Sequence, residues 1–269
     1  MSINPSKLVI IRGAGDIATG VAVRLHNCGF QVVMTELQTP TMIRCTVSLG
    51  QCLFGKPTEV EGITAVHAIG AEQVITALNA GQIPVLIDDD LKILETLKPN
   101  FLVDAILAKR NLGFSKHLAP VTIALGPGFT AGIDCDAVIE TNRGHHLGRV
   151  IYDGPTHPNT GIPGNIAGFT HERVFRAPCN GTMHSTVHIG DLVEEGDIVA
   201  TVGESKVYAP LSGMVRGLLN NGLQVTQGFK IGDIDPRGKH ADYTTVSDKA
   251  RAIGGAVLEA MMHLNFKQG

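Results

Sequence analysis

Short apolar runs alternate with amphipathic stretches through the first half of the chain. Residues 7–11 form an apolar run that ends in the polar turn Arg12-Gly13-Ala14-Gly15-Asp16. Ile17, Val21 and Leu25, with Ala18 and Ala22, then recur at helical spacing. Cys28-Gly29 closes that helix, since glycine tolerates a left-handed conformation just past a helix end. Apolar runs at 31–35, 62–67, 83–87, 101–106, 121–125 and 137–139 predict further strands, and 71–79 and 91–97 predict helices. Strands alternating with helices imply a parallel sheet with helices on its faces.

The second half has a different rhythm. Ala177-Pro178-x-x-Gly181 recurs 32 residues on as Ala209-Pro210-x-x-Gly213. Gly190-x-x-Val193-x-x-Gly196 recurs at the same offset as Gly222-x-x-Val225-x-x-Gly228. Short β-type runs lie between, and a fixed offset over seven positions marks an internal repeat. The pattern resembles the biotinyl/lipoyl-like barrel-sandwich hybrid, over about 174–235. Carrier members of that group hold a lysine at a hairpin tip beside methionine. Lys206 lies only three residues before Ala209 and has no flanking methionine. It reads as a surface lysine, and neither biotin nor lipoate is expected. Beyond Pro236-Arg237-Gly238, Ser247 caps a last helix whose apolar face is Ile253, Ala256, Val257, Ala260, Met261 and Leu264. Gly254-Gly255 within it predict tight packing on a neighbour.

These patterns divide the chain into an α/β Rossmann-like parallel-sheet domain over 1–170, a small all-β barrel-sandwich hybrid over 171–238, and a C-terminal helix over 239–269. Composition fits: of 269 residues, 43% are hydrophobic, enough for two packed cores. Charged residues make up 17% and the net charge is −3, which gives no bulk attraction to nucleic acid or anionic membrane. No apolar run reaches the roughly 18 residues of a membrane span, and no signal peptide is visible. Five scattered cysteines without a CxxC suit a reducing cytoplasm and no structural zinc. Cys45 and Cys52 read as buried thiols ahead of a redox pair.

Two segments carry candidate chemistry. In Gly13-x-Gly15-x-x-Ala18, Gly13 permits a tight turn, Gly15 a close phosphate and Ala18 close helix packing. Glu36, 21 residues after Gly15, stands where an NAD site holds its ribose acid. Asp16 within the loop either repels a pyrophosphate or caps the helix. Asp88-Asp89-Asp90 reads as a cap and solvated turn rather than a metal site. The second segment, Glu140-Thr141-Asn142-Arg143-Gly144-His145-His146-Leu147-Gly148-Arg149, follows a buried strand and concentrates proton carriers and anion forks. The expected catalytic group is Arg143 and His145 with Glu140 behind them, closed by the loop carrying Gly126 and Gly128. The alternative is an internal salt-bridge network. Adjacent His145 and His146 point apart in an extended strand, so no metal is expected there.

The motifs at 12–20, 126–129, 140–149 and 230–237, in that order, resemble the accessory-protein family of selenium-dependent molybdenum hydroxylases. The first part is similar to the Rossmann domain of xanthine dehydrogenase accessory proteins. The resemblance implies a factor that matures a molybdenum hydroxylase, with the hydroxylase as partner; the glycine turn and Arg143 add NAD(P) or a molybdopterin dinucleotide as the expected ligand. Two other readings stay open: an NAD(P)-dependent oxidoreductase with His145 as proton donor, and a non-catalytic binding module or chaperone.

Overall fold

The computed structural model describes residues 3–162 and 164–267, which gather into two units. The first runs up to Pro40 and takes in Ser48–Thr160 and the chain from Val246 onward. The second takes Thr41–Val47 and Gly161–Thr245.

In the first unit, β1 (Leu8–Arg12) leads through the Gly13 turn into α1 (Asp16–Asn27) and β2 (Gln31–Glu36). Then come β3 (Thr58–Val60), β4 (Ile63–His67), α2 (Gly70–Asn79), β5 (Ile83–Ile87), the single-turn α3 (Leu94–Leu97), β6 (Phe101–Asp104) and β7 (Val121–Leu125). The short strands β8 (Thr130–Ala131), β9 (Ala137–Ile139), β10 (Val150–Ile151) and β11 (Gly154–Pro155) follow. Nine strands form one sheet in the order β10-β9-β7-β6-β1-β2-β5-β4-β3. Its centre is parallel: Val9 of β1 faces Val32 on one side and Phe101 on the other. A central strand covered on both faces reads as an unbroken apolar run, and Leu8–Ile11 are all buried. Val9 and Ile11 face a layer containing α1, while Leu8 and Ile10 face Val33, Val74 and Leu86.

The second unit holds two antiparallel four-stranded sheets. Its strands are β12 (Val174–Arg176), β13 (Gly181–Ser185), β14 (Leu192–Val193), β15 (Ile198–Val202), β16 (Ser205–Tyr208), β17 (Gly213–Leu218), β18 (Gln224–Val225) and β19 (Lys230–Asp235). One sheet runs β12-β19-β17-β14 and the other β16-β15-β13-β18. β13, β14 and β15 begin 32 residues before β17, β18 and β19. Thr41–Val47 joins this unit through Leu218 N–H, which donates to the Ile43 carbonyl at 2.7 Å.

The expected fold class is therefore corrected in both parts. The large sheet is mixed, not parallel, and has nine strands. At one edge β3 pairs antiparallel with β4, because Glu61-Gly62 joins them in a tight turn with both residues in left-handed backbone. At the other edge β10 returns antiparallel on β9. No helix lies between β6 and β7, so the strand–helix alternation breaks there. In place of a biotinyl/lipoyl-like barrel-sandwich hybrid stand two antiparallel sheets with an inserted segment from far upstream and buried charges on β19.

The last helix, α4 (Asp248–Lys267), belongs to the first unit. Ser247 Oγ accepts from Ala250 N at 3.2 Å and caps it. α4 lies on α1, with Ile253, Val257, Ala260 and Met261 in the same core as Val21 and Leu25. Among the described residues no helix is long and apolar enough to cross a membrane.

Candidate functional site

Buried β9 delivers Glu140 directly to a cavity wall. The Glu140 amide donates to Arg149 O and its carbonyl accepts from Gly148 N, both at 2.9 Å, which closes the loop between β9 and β10. The carboxylate is 2% exposed and fully engaged. Oε1 accepts from Asn142 N at 2.7 Å; Oε2 accepts from the His157 backbone N–H and pairs with His157 Nδ1, each at 2.8 Å. Burial pushes the Glu140 pKa up, but donation from Asn142 N, His157 N and the His157 ring outweighs it and holds the group below its ordinary value. An ionised carboxylate only accepts, so Nδ1 carries a proton, and in the neutral ring the lone pair is then on Nε2. His146 stacks on His157 with ring centres 5.9 Å apart and 15° between planes. The cavity has a volume of about 560 Å³. Glu140, His146, Arg149, Tyr152, Asp153, Thr156 and His157 line it, with an apolar wall of Val150, Ile151, Pro155 and Pro158.

The other expected residues stand nearby or face their own chain. Arg143 turns away to Asp248 in the first turn of α4, with Nη1 and Nη2 each 2.7 Å from a carboxylate oxygen. His145 packs edge-on against His146, centres 5.2 Å apart. In the glycine turn, Gly13 has φ +103° and its amide donates to Thr35 O at 2.8 Å. Ala14 N–H donates to Glu36 Oε2 at 2.9 Å, so the Glu36 carboxylate holds the turn from within. Gly50 N–H donates to Ala14 O and Leu49 N–H to Thr19 Oγ1, each at 2.9 Å, which lays residues 49–50 against the turn. Gly15 precedes α1 in ordinary extended backbone, Asp16 opens the helix, and Ala18 is buried. Gly126 and Gly128 both have positive φ. A Cβ at either would lie 2.5 Å from its own chain, at Thr141 Oγ1 and Arg110 N respectively.

Lys249, half-buried in the first turn of α4, collects several of these groups. Burial lowers its pKa, Arg143 and Lys109 act in the same direction, and Asp16 and Glu140 oppose them. Asp16, Glu140 and Arg143 thus lie within electrostatic reach of one amine.

Sequence reasoning missed His157, Tyr152, Asp153 and Lys249. His157 sits in Asp153-Gly154-Pro155-Thr156-His157-Pro158, which has no period to read. The signal was chemical only: a histidine between prolines shortly after the 140–149 segment. Cys45, Cys52 and Cys135 are free thiols that burial pushes up to about 11, about 12 and about 12. Thiols held that high are not nucleophiles near neutral pH.

No family model matches this chain. It is 61% identical over 258 residues to the uncharacterized protein YqeB of Escherichia coli (strain K12), a match covering 96% of this chain and 48% of that protein. The chain thus spans about half the length of the curated relative it matches. Among solved structures it overlaps an aspartoacylase family protein from Mesorhizobium loti, at 12% identity, 84% coverage of each chain and a TM-score of 0.29. It overlaps a succinylglutamate desuccinylase/aspartoacylase from Rhodobacter sphaeroides at 14% identity, 85% and 84% coverage and a TM-score of 0.27. The ectoine utilization protein EutE (DoeB) from Ruegeria pomeroyi overlaps at 11% identity, 53% and 62% coverage and a TM-score of 0.23. Overlap at that level carries no argument about chemistry. None of these proteins is described as a maturation factor for a molybdenum hydroxylase. The resemblance to that accessory family, with its selenium and molybdenum roles and the two readings beside it, is corrected accordingly.

Proposed function

We propose that the first unit is an acid–base catalyst for a small anionic substrate, with His157 as general base and Glu140 as the residue that positions it. The contact between Glu140 Oε2 and His157 Nδ1, 2.8 Å at the cavity wall, carries the reading. A buried carboxylate that fixes the ring tautomer leaves Nε2 to take a proton from water or from the substrate. When it does, the imidazolium that forms is stabilised by the adjacent negative charge. Arg149 at the wall offers a fork for a carboxylate or phosphate on the substrate. Nucleotide binding at the Gly13 turn is not part of this reading, because Glu36 already holds the Ala14 amide. We place the chain in the cytoplasm, in keeping with its five free thiols.

The test is a screen of chromogenic esters, amides, lactones and phosphate esters carrying an anionic group. The native chain should turn over at least one class. His157→Ala should lower kcat about a hundredfold or more, and Glu140→Gln should lower it while leaving the fold intact. No turnover across the panel, or equal turnover by His157→Ala, would overturn the proposal.

A further inference from the structure

The cavity that holds Glu140 and His157 also carries two opposite charges that do not neutralise each other. Arg149 stands just before the edge strand β10 and Asp153 shortly after it, and both line the cavity. Among the described residues neither side chain makes a hydrogen bond or an ion pair, with the other or with any neighbour. The second carboxylate of the lining, Glu140, is already engaged by Asn142 and His157.

The backbone beneath these free side chains is fixed. Arg149 N–H donates to His146 O at 3.0 Å, and its carbonyl accepts from Glu140 N at 2.9 Å. Val150 and Ile151 pair with Ile139 and Val138 of β9. The chain then bends, and Gly154, in left-handed backbone, opens β11 against Ala131 of β8. Asp153 is thereby set between two paired segments, with Oδ1 3.9 Å from where a Cβ on Gly132 would stand. Tyr152 beside it adds no charge. Its ring centre lies 4.5 Å from that of His263 on α4, and burial and the Glu259 charge raise its pKa, so the phenol stays protonated near neutral pH.

A substrate with a carboxylate alone would meet Arg149 but be repelled by Asp153 and Glu140, since the lining holds one guanidinium against two carboxylates. An ammonium on the same molecule turns the repulsion from Asp153 into attraction. A volume of about 560 Å³, with few polar groups beside an apolar wall, suits a molecule of amino-acid size.

We propose that the substrate of this cavity is a small zwitterion, an amino-acid derivative whose carboxylate is held by Arg149 and whose ammonium is held by Asp153. The proposal rests on the catalytic reading above and narrows its substrate class. The guanidinium fork matches a carboxylate with paired donors. The ammonium brings three donors to a carboxylate that only accepts. Two anchors of opposite sign also fix which way round the molecule lies, as a positioned reaction requires.

Three 4-nitroanilides that differ only in charge test it. The γ-glutamyl compound has an ammonium and a carboxylate, the glutaryl compound the carboxylate alone, and the 4-aminobutyryl compound the ammonium alone. Binding is read by isothermal titration of the full chain carrying His157→Asn, which lacks the base but whose side-chain amide can still donate to Glu140. Turnover is read as release of 4-nitroaniline by the native chain. The γ-glutamyl compound should bind saturably at one site, about tenfold or more tighter than either analogue. In the same background Arg149→Gln should weaken it to the level of the 4-aminobutyryl compound, and Asp153→Asn to that of the glutaryl compound. Lys206→Gln, an exposed lysine on β16, should leave its binding unchanged. Because neither Arg149 nor Asp153 has a partner to lose among the described residues, both variants should melt as their parent does. The proposal is overturned if the γ-glutamyl compound does not bind saturably, if the glutaryl compound binds as tightly, or if the Arg149 and Asp153 variants bind as their parent does. Charge-dependent binding without release of 4-nitroaniline would support the zwitterion site and count against His157 as base. Release from the glutaryl and γ-glutamyl compounds at equal kcat/KM would support catalysis in the cavity and overturn the zwitterion.

Discussion

Gly128 and Gly29 both hold left-handed backbone, but only one is crowded. Gly128 has φ +107°, and a Cβ would meet the Arg110 backbone nitrogen at 2.5 Å. Gly29 has φ +85° and open space around it. Gly29→Ala therefore meets only the left-handed penalty, about 1 kcal/mol. Gly128→Ala must also displace the 109–110 backbone, and should cost at least about 2–3 kcal/mol. Urea unfolding of the two variants checks the order, and a Gly128→Ala chain no weaker than Gly29→Ala would refute the crowding argument. Sequence spacing flagged Gly126 and Gly128 as a ligand loop; it does not distinguish a glycine that admits a ligand from one that admits its own chain. Glu36 makes the same point, since its position 21 residues after Gly15 suits a ribose, yet its carboxylate holds the Ala14 amide. Glu140 was legible because it follows a buried strand. Its partner His157 was not, because the two lie 17 positions apart, with β10 and β11 between them.

At the scale of elements, α1 and α4 touch through small residues. A Cβ at Gly20 would come 2.5 Å from the Ala250 Cβ, and one at Gly254 would come 2.7 Å from the Gly20 carbonyl oxygen. Gly255 faces open space. The adjacent glycines in the last helix suggested tight packing, and Gly254 alone has that reason. Gly254→Ala should destabilise by about 1–3 kcal/mol through overpacking. Gly255→Ala should stabilise by about 0.5–1 kcal/mol through helix propensity. Paired thermal melts settle it, and two changes of the same sign would count against this packing. The helix itself was readable from its apolar face and its Ser247 cap. The edge strands β3 and β10 were not, since three and two residues are too few to show a period.

Over the whole molecule, the sequence divided the chain into an α/β part and a β part because hydrophobic period and turn spacing change along it. It did not show that Thr41–Val47 would join the second unit, a choice made by tertiary contacts alone. That unit also concentrates the carboxylates whose pKa values fall on folding. Asp233 is pushed up by burial but held below its ordinary value by Lys230, Arg173 and Arg44. Asp235 is likewise raised by burial and held down by Arg237 and Arg216. Asp242 is brought to about 2 by the hydroxyls and amides of Thr244 and Thr245. A carboxylate lowered in the fold contributes stability above its unfolded pKa, near 4, and loses it as pH falls through the folded value. The first unit has Glu140 in that sense but Asp104 in the opposite one. Burial of Asp104 outweighs its 3.2 Å pairing with Arg12 and raises its pKa, so its protonation favours the fold as pH drops. Between pH 4 and 2.5 the second unit should therefore open first. Brief pepsin digestion across that range, with fragments mapped by mass spectrometry, should place the earliest cuts within 161–245. Early cuts confined to 48–160 would contradict this account of the buried charges.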